Sequence, residues 1–162
     1  MAKIIFHIGS FKTGSTSIQM ALSELENEYS KKFYYPRDKL LPDPTKSWIM
    51  MVPFLKSKWS KMEVLLQLKN GQQKAQKAGR VLISNIKKNL ENGKNIIISS
   101  EEFIKLDKNT LQAFYSEFKD YCEKFEIVCY VRNYDTAVSS IVNQRTKNFF
   151  KFNDNNIPVP KY

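Results

Sequence analysis

The sequence predicts a single α/β domain over residues 1–162, with a central parallel sheet of about four to five strands flanked by helices. Short apolar runs alternate along the chain with longer stretches of helical periodicity, which is the pattern of consecutive βαβ units. A chain of this length buries roughly 70% of the surface that its unfolded form exposes. Its composition, 42% hydrophobic and 13% aromatic, is typical of a folded protein.

The first half of the chain supplies two strands and a helix. Residues 3–8 are mostly β-branched or aromatic and predict a strand inside the sheet. From Ser15 onward, apolar residues recur at helical spacing and predict the first helix. The segment 33–38 predicts a short second strand ended by Pro36, and the prolines between 40 and 56 predict an irregular connection.

The second half repeats the alternation. A long amphipathic helix is predicted over 72–90, and a buried third strand follows over 96–99. Another helix is predicted over 108–121, and a fourth apolar strand runs up to Arg132. A last helix begins near Asp135.

Three polar segments follow the predicted strands: residues 7–16, 99–102 and 132–140. The carboxyl ends of parallel strands meet at one edge of a sheet, and ligands of open α/β sheets bind beyond that edge. We therefore expect these segments to lie close together and to form the functional site.

The loop after the first strand predicts an anion site. Gly9 and Gly14 frame a G-x-x-x-x-G loop, but Ser15 stands where a phosphate loop usually has lysine, and Lys12 lies inside the loop instead. Backbone amides at the start of the following helix, with the hydroxyls after Gly14, would hold an anion. A tight turn with ordinary capping hydroxyls is the structural alternative.

Two segments resemble a known family. HIGSFKTGSTSIQ, residues 7–19, resembles the 5′-phosphosulfate-binding loop of sulfotransferases that use 3′-phosphoadenosine 5′-phosphosulfate, which carries lysine at the position of Lys12. YVRNYDTAVSS, residues 130–140, resembles the family's 3′-phosphate-binding strand and helix, with Arg132 at the strand end and Ser140 in the helix. Ser139 is an alternative to Ser140. The first segment looks closest to bacterial and carbohydrate sulfotransferases.

The resemblance implies a three-layer fold of the phosphate-loop type and the cofactor 3′-phosphoadenosine 5′-phosphosulfate, which leaves as 3′-phosphoadenosine 5′-phosphate. Lys12 near the bridging oxygen would stabilise charge on the leaving phosphate, so no metal is required. The residues expected to bind the cofactor are Ser10, Phe11, Lys12, Thr13, Gly14, Ser15, Thr16, Ser17, Arg132 and Ser140.

A general base has to take the proton of the acceptor. Glu101 matches the place where cytosolic members of the family carry a catalytic histidine, so we expect Lys12 and Glu101 to be the catalytic residues. Glu102 and His7 are the alternatives to Glu101, and a helix-capping role is an alternative for either acid. For His7, the only histidine, we expect a structural hydrogen bond.

The expected acceptor is a hydroxyl or amine of a carbohydrate-like or other small molecule. Eleven basic residues and two acidic ones lie between Lys46 and Lys94, which fits an anionic acceptor, although a solvated helix face would look the same. Nucleic acid is disfavoured as a partner because aromatic residues do not alternate with these lysines.

Two other functions stay open. A phosphate-loop kinase needs magnesium held by an acid at the end of a strand, but the third strand ends in serines. A non-catalytic nucleotide- or polyanion-binding module is the second alternative. The family's late glycine- and lysine-containing segment is not found before Tyr162, so we expect a short or C-terminally truncated member.

Two further expectations concern the cysteines and the location of the protein in the cell. Cys122 and Cys129 fall on different predicted elements without metal-type neighbours, which predicts buried free thiols. The N-terminal apolar run is too short for a secretion signal or a membrane span, which predicts a cytoplasmic protein.

Overall fold

A computed structural model gives the architecture of the chain. It describes residues 2–9, 14–37, 47–55, 71–131, 133, 135, 136, 138–140, 142 and 143. The elements in chain order, with η for 3₁₀ helices, are β1 (Lys3–Gly9), α1 (Ser15–Glu28), β2 (Phe33–Tyr34), η1 (Trp48–Phe54), α2 (Gly71–Glu91), β3 (Asn95–Ser99), η2 (Glu101–Lys105), α3 (Lys108–Phe118) and β4 (Lys124–Tyr130).

The predicted α/β architecture is confirmed. Four parallel strands form one sheet in the order β2-β3-β1-β4, so β1 is a central strand. Its register pairs Ile4 with Ile96 and Phe6 with Ile98 on one side, and Phe6 with Ile127 on the other. Since all three pairs of strands are parallel, their carboxyl ends lie at the same edge of the sheet.

The strand order divides the helices between the two faces of the sheet. The connection from β1 to β2 runs in one direction across the sheet, whereas those from β2 to β3 and from β3 to β4 run in the other. Because such crossovers are right-handed, α1 lies on one face and α2 and α3 lie on the opposite face. The result is a three-layer arrangement of helix, sheet and helix.

The face that carries α2 and α3 is the hydrophobic core. Ile4, Phe6, Ile96 and Ile98 point to this face and are buried against α2, α3 and η1. Phe114 of α3 lies at the centre of an aromatic group, with ring centroids 4.9 Å from Phe6, 5.7 Å from Phe54 and 4.7 Å from Phe118. We call this side the apolar face.

The segment predicted as irregular contains part of the core. Within the described residues 47–55, η1 buries five consecutive residues from Trp48 to Val52. Gly79 of α2 lies against it, and a Cβ at Gly79 would lie 2.6 Å from Cδ of Pro53 and 2.7 Å from the backbone oxygen of Ile49. A glycine in the middle of α2 therefore lets this helix approach η1 closely.

The positions of the predicted helices agree with the structure. The residues that were predicted to be buried in these helices agree less well. In α2 the apolar spacing predicts one buried stripe of Ala75, Ala78, Leu82, Ile86 and Leu90, and four of these five residues are buried while Ala78 is partly buried. The helix predicted over 108–121 ends at Phe118. The helical spacing of Leu111, Phe114, Phe118 and Tyr121 predicts that all four face the core. Only Phe114 and Phe118 are buried, and Leu111 and Tyr121 are exposed.

The fourth strand is apolar and was expected to be buried, but several of its residues are exposed. Ile127 is 72% exposed and Val131, just after β4, is 83% exposed. Cys129 is exposed and Cys122 is half-buried, so the prediction of two buried thiols fails. For Ile127 and Cys129 the reason is position, since they lie in β4, the edge strand next to β1 in the sheet that the described residues form.

The last predicted helix is described only in part. Residues 135, 136, 138–140, 142 and 143 have helical backbone. Val138 and Val142 are exposed. None of the helices in the described ranges is both long and apolar enough to cross a membrane.

Candidate functional site

The site predicted from the sequence is only partly visible. Ser10 to Thr13, including Lys12, and also Arg132 lie outside the described residues. The backbone of Glu102 is described as part of η2, but its side chain is not. The predicted residues that the structure places are Gly14, Ser15, Thr16, Ser17, Glu101 and Ser140.

Gly14 shapes the entry into α1. It has a left-handed backbone with φ of +84°, where an L side chain is strained. Apart from its chain neighbours, no atom of the described residues lies within 4 Å of the place where a Cβ would be, so among these residues Gly14 is needed for its dihedral angle and not for a close contact. Among the described residues, no side chain caps the N-terminus of α1, and its first turn holds no acid. This helix start can thus receive an anion.

Ser15 and Glu101 are brought together across 86 residues of sequence. The hydroxyl of Ser15 donates a hydrogen bond to Oε1 of Glu101. Ser15 is only 3% exposed and Glu101 is half-buried, whereas the neighbouring Thr16 and Ser17 are exposed. The contact joins the start of α1 to the turn that follows β3, as the sequence predicted for the carboxyl edge of the sheet.

His7 has the expected structural hydrogen bond. Its Nδ1 lies 2.7 Å from Oγ of Ser99, and its ring meets that of Tyr130 edge-on at 5.0 Å. Burial lowers the pKa of His7 below 6.5, and the Glu101 carboxylate opposes this effect. The neutral ring is thus favoured. Nε2 of His7 is buried and has no hydrogen-bond partner in the described part of the chain.

Gln19 was missed from the sequence. It is fully buried, and neither its amide nitrogen nor its amide oxygen has a partner among the described residues. Gln19 follows Ser15 by four residues and so shares its face of α1, about 6 Å along the axis. The sequence carried one signal for this residue. The four-residue spacing of Ser15 and Gln19 places two polar side chains on the same face of α1.

The two candidate serines of the second motif differ in their surroundings. Ser139 is exposed, and its hydroxyl donates to the backbone oxygen of Asp135 at 2.9 Å. Ser140 is half-buried. With Arg132 outside the described residues, the proposed 3′-phosphate site stays a prediction.

The basic segment between Lys46 and Lys94 is partly a helix face. Lys74, Lys77 and Lys88 are exposed on α2. Lys87 is different, since its Nζ lies 2.6 Å from Oε1 of Glu117 and 4.7 Å from the ring centroid of Tyr121. The hydrogen bond to Glu117 raises the pKa of Lys87. The other lysines of the segment before α2 lie outside the described residues: Lys46, Lys56, Lys58, Lys61 and Lys69.

Comparisons with known proteins give no relative: no family model, no curated protein and no solved structure matches the chain. The functional argument therefore depends on the geometry of the residues around the start of α1.

Proposed function

We propose that this chain is a sulfotransferase-type domain of the phosphate-loop class. It binds 3′-phosphoadenosine 5′-phosphosulfate and transfers the sulfuryl group to a hydroxyl or amine of a carbohydrate-like acceptor. The observation that carries the proposal is the contact between Ser15 and Glu101. It brings an anion-receptive helix start next to a carboxylate at the edge where parallel α/β sheets bind ligands.

The described residues fit an anionic group. Gly14 enters α1 with a left-handed backbone, and the exposed hydroxyls of Thr16 and Ser17 add donors to the backbone amides. A 5′-phosphate suits such donors. The central position of β1, with α1 directly after its loop, supports the phosphate-loop class.

Each catalytic role follows from charge. As the sulfuryl group moves to the acceptor, negative charge develops on the leaving phosphate, and Lys12 would stabilise it together with the amides of α1. Glu101 would accept the proton of the acceptor hydroxyl or amine. Arg132 offers two parallel donors to a 3′-phosphate, with Ser140 as a further donor.

Calorimetric titration with 3′-phosphoadenosine 5′-phosphate, with and without magnesium, tests the proposal. We expect nanomolar to micromolar binding without magnesium, weakened at least about tenfold in Arg132→Ala by loss of a charge-assisted pair. Lys12→Ala should abolish sulfuryl transfer. Lys74→Ala, on the exposed side of α2, is the charge-matched control. Tighter binding of magnesium ATP than of the 3′-phosphorylated nucleotide would contradict the proposal.

A second candidate is a magnesium-dependent phosphate-loop kinase, and the same contact favours it. Phosphate-loop enzymes hold magnesium between a hydroxyl at the helix start and a carboxylate after a neighbouring strand. Ser15 and Glu101 place a hydroxyl beside a carboxylate. In a phosphate loop, however, the hydroxyl that holds magnesium is that of the next residue, here Thr16, and the third strand itself ends in serine. Against it stands Lys12, which lies inside the loop rather than after Gly14.

Glu101→Gln separates the two candidates. A kinase would lose magnesium-dependent binding of ATP in this variant, because the metal loses a carboxylate ligand. A sulfotransferase would keep its magnesium-independent binding of the 3′-phosphorylated nucleotide and lose turnover through the missing base.

A further inference from the structure

We propose that two copies of this chain pair antiparallel along β4, through residues 127–131, and join their four-stranded sheets into one. Such pairing needs no ligand, so it is independent of the proposed function. Four properties of β4 support it: an open outer edge, apolar side chains exposed on both faces of the strand, a run of residues without charge, and enough exposed area for a stable dimer.

The two edges of the sheet differ. At one edge, β2 has only two residues and is followed by the buried Tyr35 and by Pro36, which has no backbone N–H. Short strands and prolines are ways in which proteins close the edge of a sheet. At the other edge β4 has seven residues, and no strand of the described ranges pairs with its outer side. Of the two edges, β4 is the one open to a further strand.

The apolar residues of β4 are exposed on both faces of the strand. Residues 127–131, Ile-Val-Cys-Tyr-Val, are all exposed. Because side chains alternate, Ile127 and Cys129 point to the apolar face, whereas Val128 and Tyr130 point to the face of α1. Single exposed apolar residues are common, but a contiguous exposed apolar patch marks a contact. A strand added at the open edge would cover both faces at once, since its own side chains also alternate.

Helix α3 extends this apolar surface. The ring of Tyr115 lies 5.0 Å from that of Phe125, which precedes Ile127 by two residues on the same face of β4. Both Tyr115 and Leu111, one turn earlier in α3, are exposed. A specific dimer covers about 800 Å² of each copy. The exposed parts of Leu111, Tyr115 and residues 127–131 together supply an area of this order.

Charge does not protect this edge. The charged residues of β4 are Lys124 and Glu126, and the Glu126 carboxylate pairs with Lys124 and with Lys3 of β1, each at 2.9 Å. Natural edge strands are commonly protected by a lysine that a pairing strand would have to bury. Residues 127–131 contain no charged side chain, so pairing along this run buries none.

A second copy fits this edge because the run is complementary to itself. With a two-fold axis at Cys129, antiparallel pairing places Ile127 opposite Val131 of the second copy, and Val128 opposite Tyr130 of the second copy. Aromatic residues opposite β-branched ones stabilise a sheet. Since the β2 edge of each copy is closed, pairing ends with two chains and gives a symmetric dimer rather than a fibre.

Sedimentation equilibrium of the full chain from about 1 to 100 μM tests the pairing. We expect a monomer–dimer equilibrium that shifts toward the dimer as salt is raised. The reason is that two copies with a net charge of +10 repel each other and salt screens this repulsion. Monomers throughout the range would overturn the proposal. A dimer that dissociates as salt is raised would also overturn it, because ion pairs would then hold the copies together.

A charge-swap pair tests the register. Ile127→Glu and Val131→Lys should each raise the dissociation constant of the dimer at least about a hundredfold, since each change occurs twice in the dimer. Both positions are exposed in one copy, so thermal denaturation should show an intact fold. The double variant should recover about tenfold, because each introduced carboxylate then faces an introduced ammonium group. Val81→Glu, exposed on α2, is the control and should dimerise normally. No recovery in the double variant would overturn this register.

Oxidation with diamide locates the two-fold axis. Residues directly opposite in an antiparallel pair have Cα atoms about 4.5–5.5 Å apart, which is within the range of a disulfide. Diamide takes two hydrogen atoms from a pair of thiols, so it should link two copies through Cys129. Cys122→Ser should cross-link like the unmodified protein, and Cys129→Ser should not. Equal cross-linking of Cys129→Ser would overturn an axis at this residue.

Discussion

The two faces of the sheet are built from the same strands and have opposite character. Alternate residues of a strand point to opposite faces, so β1 places Ile4 and Phe6 on the apolar face and His7 on the other. At the carboxyl edge of that second face the buried side chains are polar, namely His7 and Ser99 with Ser15 and Gln19 of α1. We call this second group the polar cluster.

The apolar face and the polar cluster differ in what they contribute: the first stabilises the fold, and the second offers polar groups for binding or catalysis. On the apolar face, the aromatic group around Phe114 and the packing of α2 on η1 bury mostly hydrophobic side chains, and the amide of Gln76 that lies between α2 and η1 donates to the backbone oxygen of Val52. The polar cluster contains buried atoms that have no partner among the described residues, namely Nε2 of His7 and both amide atoms of Gln19. Unpartnered buried polar groups lower stability, so a fold keeps them where they serve a site. The four predictions below test this division, in order of expected effect.

Phe114→Ala should have the largest effect, because it removes the ring at the centre of the apolar face. We expect the free energy of unfolding to fall by about 3–5 kcal/mol, as for large-to-small substitutions in cores. Thermal denaturation followed by circular dichroism would show it as a drop in Tm of roughly 10 °C. Leu111→Ala on the exposed side of α3 is the control, and an equal loss there would contradict the assignment of the core face.

Gly79→Ala tests the close contact between α2 and η1. Helix propensity alone would make alanine more stable by about 1 kcal/mol. The new methyl group would instead overlap Pro53 and the backbone of Ile49, so we expect a net loss of about 1–3 kcal/mol. Ser84→Ala, at an exposed position of α2, should not lower the midpoint of urea denaturation. A gain in stability in Gly79→Ala would show that η1 packs elsewhere.

Gln19→Met is expected to stabilise the protein, in contrast to the two core variants. Methionine has a similar length and leaves no buried polar atom unpaired, so the free energy of unfolding should rise by about 1–2 kcal/mol. Gln73→Met, exposed on α2, controls for the change of residue type. A destabilised Gln19→Met protein would mean that the amide is paired in solution.

The smallest expected effect is the pH dependence from His7. Burial lowers its folded pKa below the unfolded value of 6.5, so the unfolded chain binds the proton more readily. The stability from neutral His7 is complete above pH 6.5 and is lost as the pH falls below it, by at most about 1.4 kcal/mol per pH unit. Denaturation midpoints between pH 5 and 7.5 should show this slope, and His7→Gln should flatten it.

Much of the fold could be predicted from local patterns. The β-branched runs located β1 and β3, and the stripe from Ala75 to Leu90 located α2, because these elements are periodic and long enough to read. Burial was harder. Ile127 and Cys129 belong to an apolar strand and are exposed, since an edge position depends on strand order, which local pattern does not encode.

The candidate site shows the same limit. The sequence located Gly14 and the hydroxyls that follow it, and it placed Glu101 at the same edge, because parallel strands share their carboxyl ends. It could not predict that Glu101 would accept a hydrogen bond from the Ser15 hydroxyl, or that Gln19 would be buried with no partner among the described residues. Both outcomes depend on how closely α1 packs against the sheet, and that distance is set by contacts between segments far apart in the sequence.

By itself, then, the sequence determined the alternation of strands and helices, the glycine that precedes α1, and the meeting of the start of α1 with the residues after β3 at one edge of the sheet. Only the tertiary structure decided which face became apolar, which strand was left at the edge and which hydroxyl reached Glu101. Those outcomes depend on the order of strands across the sheet, because packing energy is gained only when residues far apart in sequence come into contact.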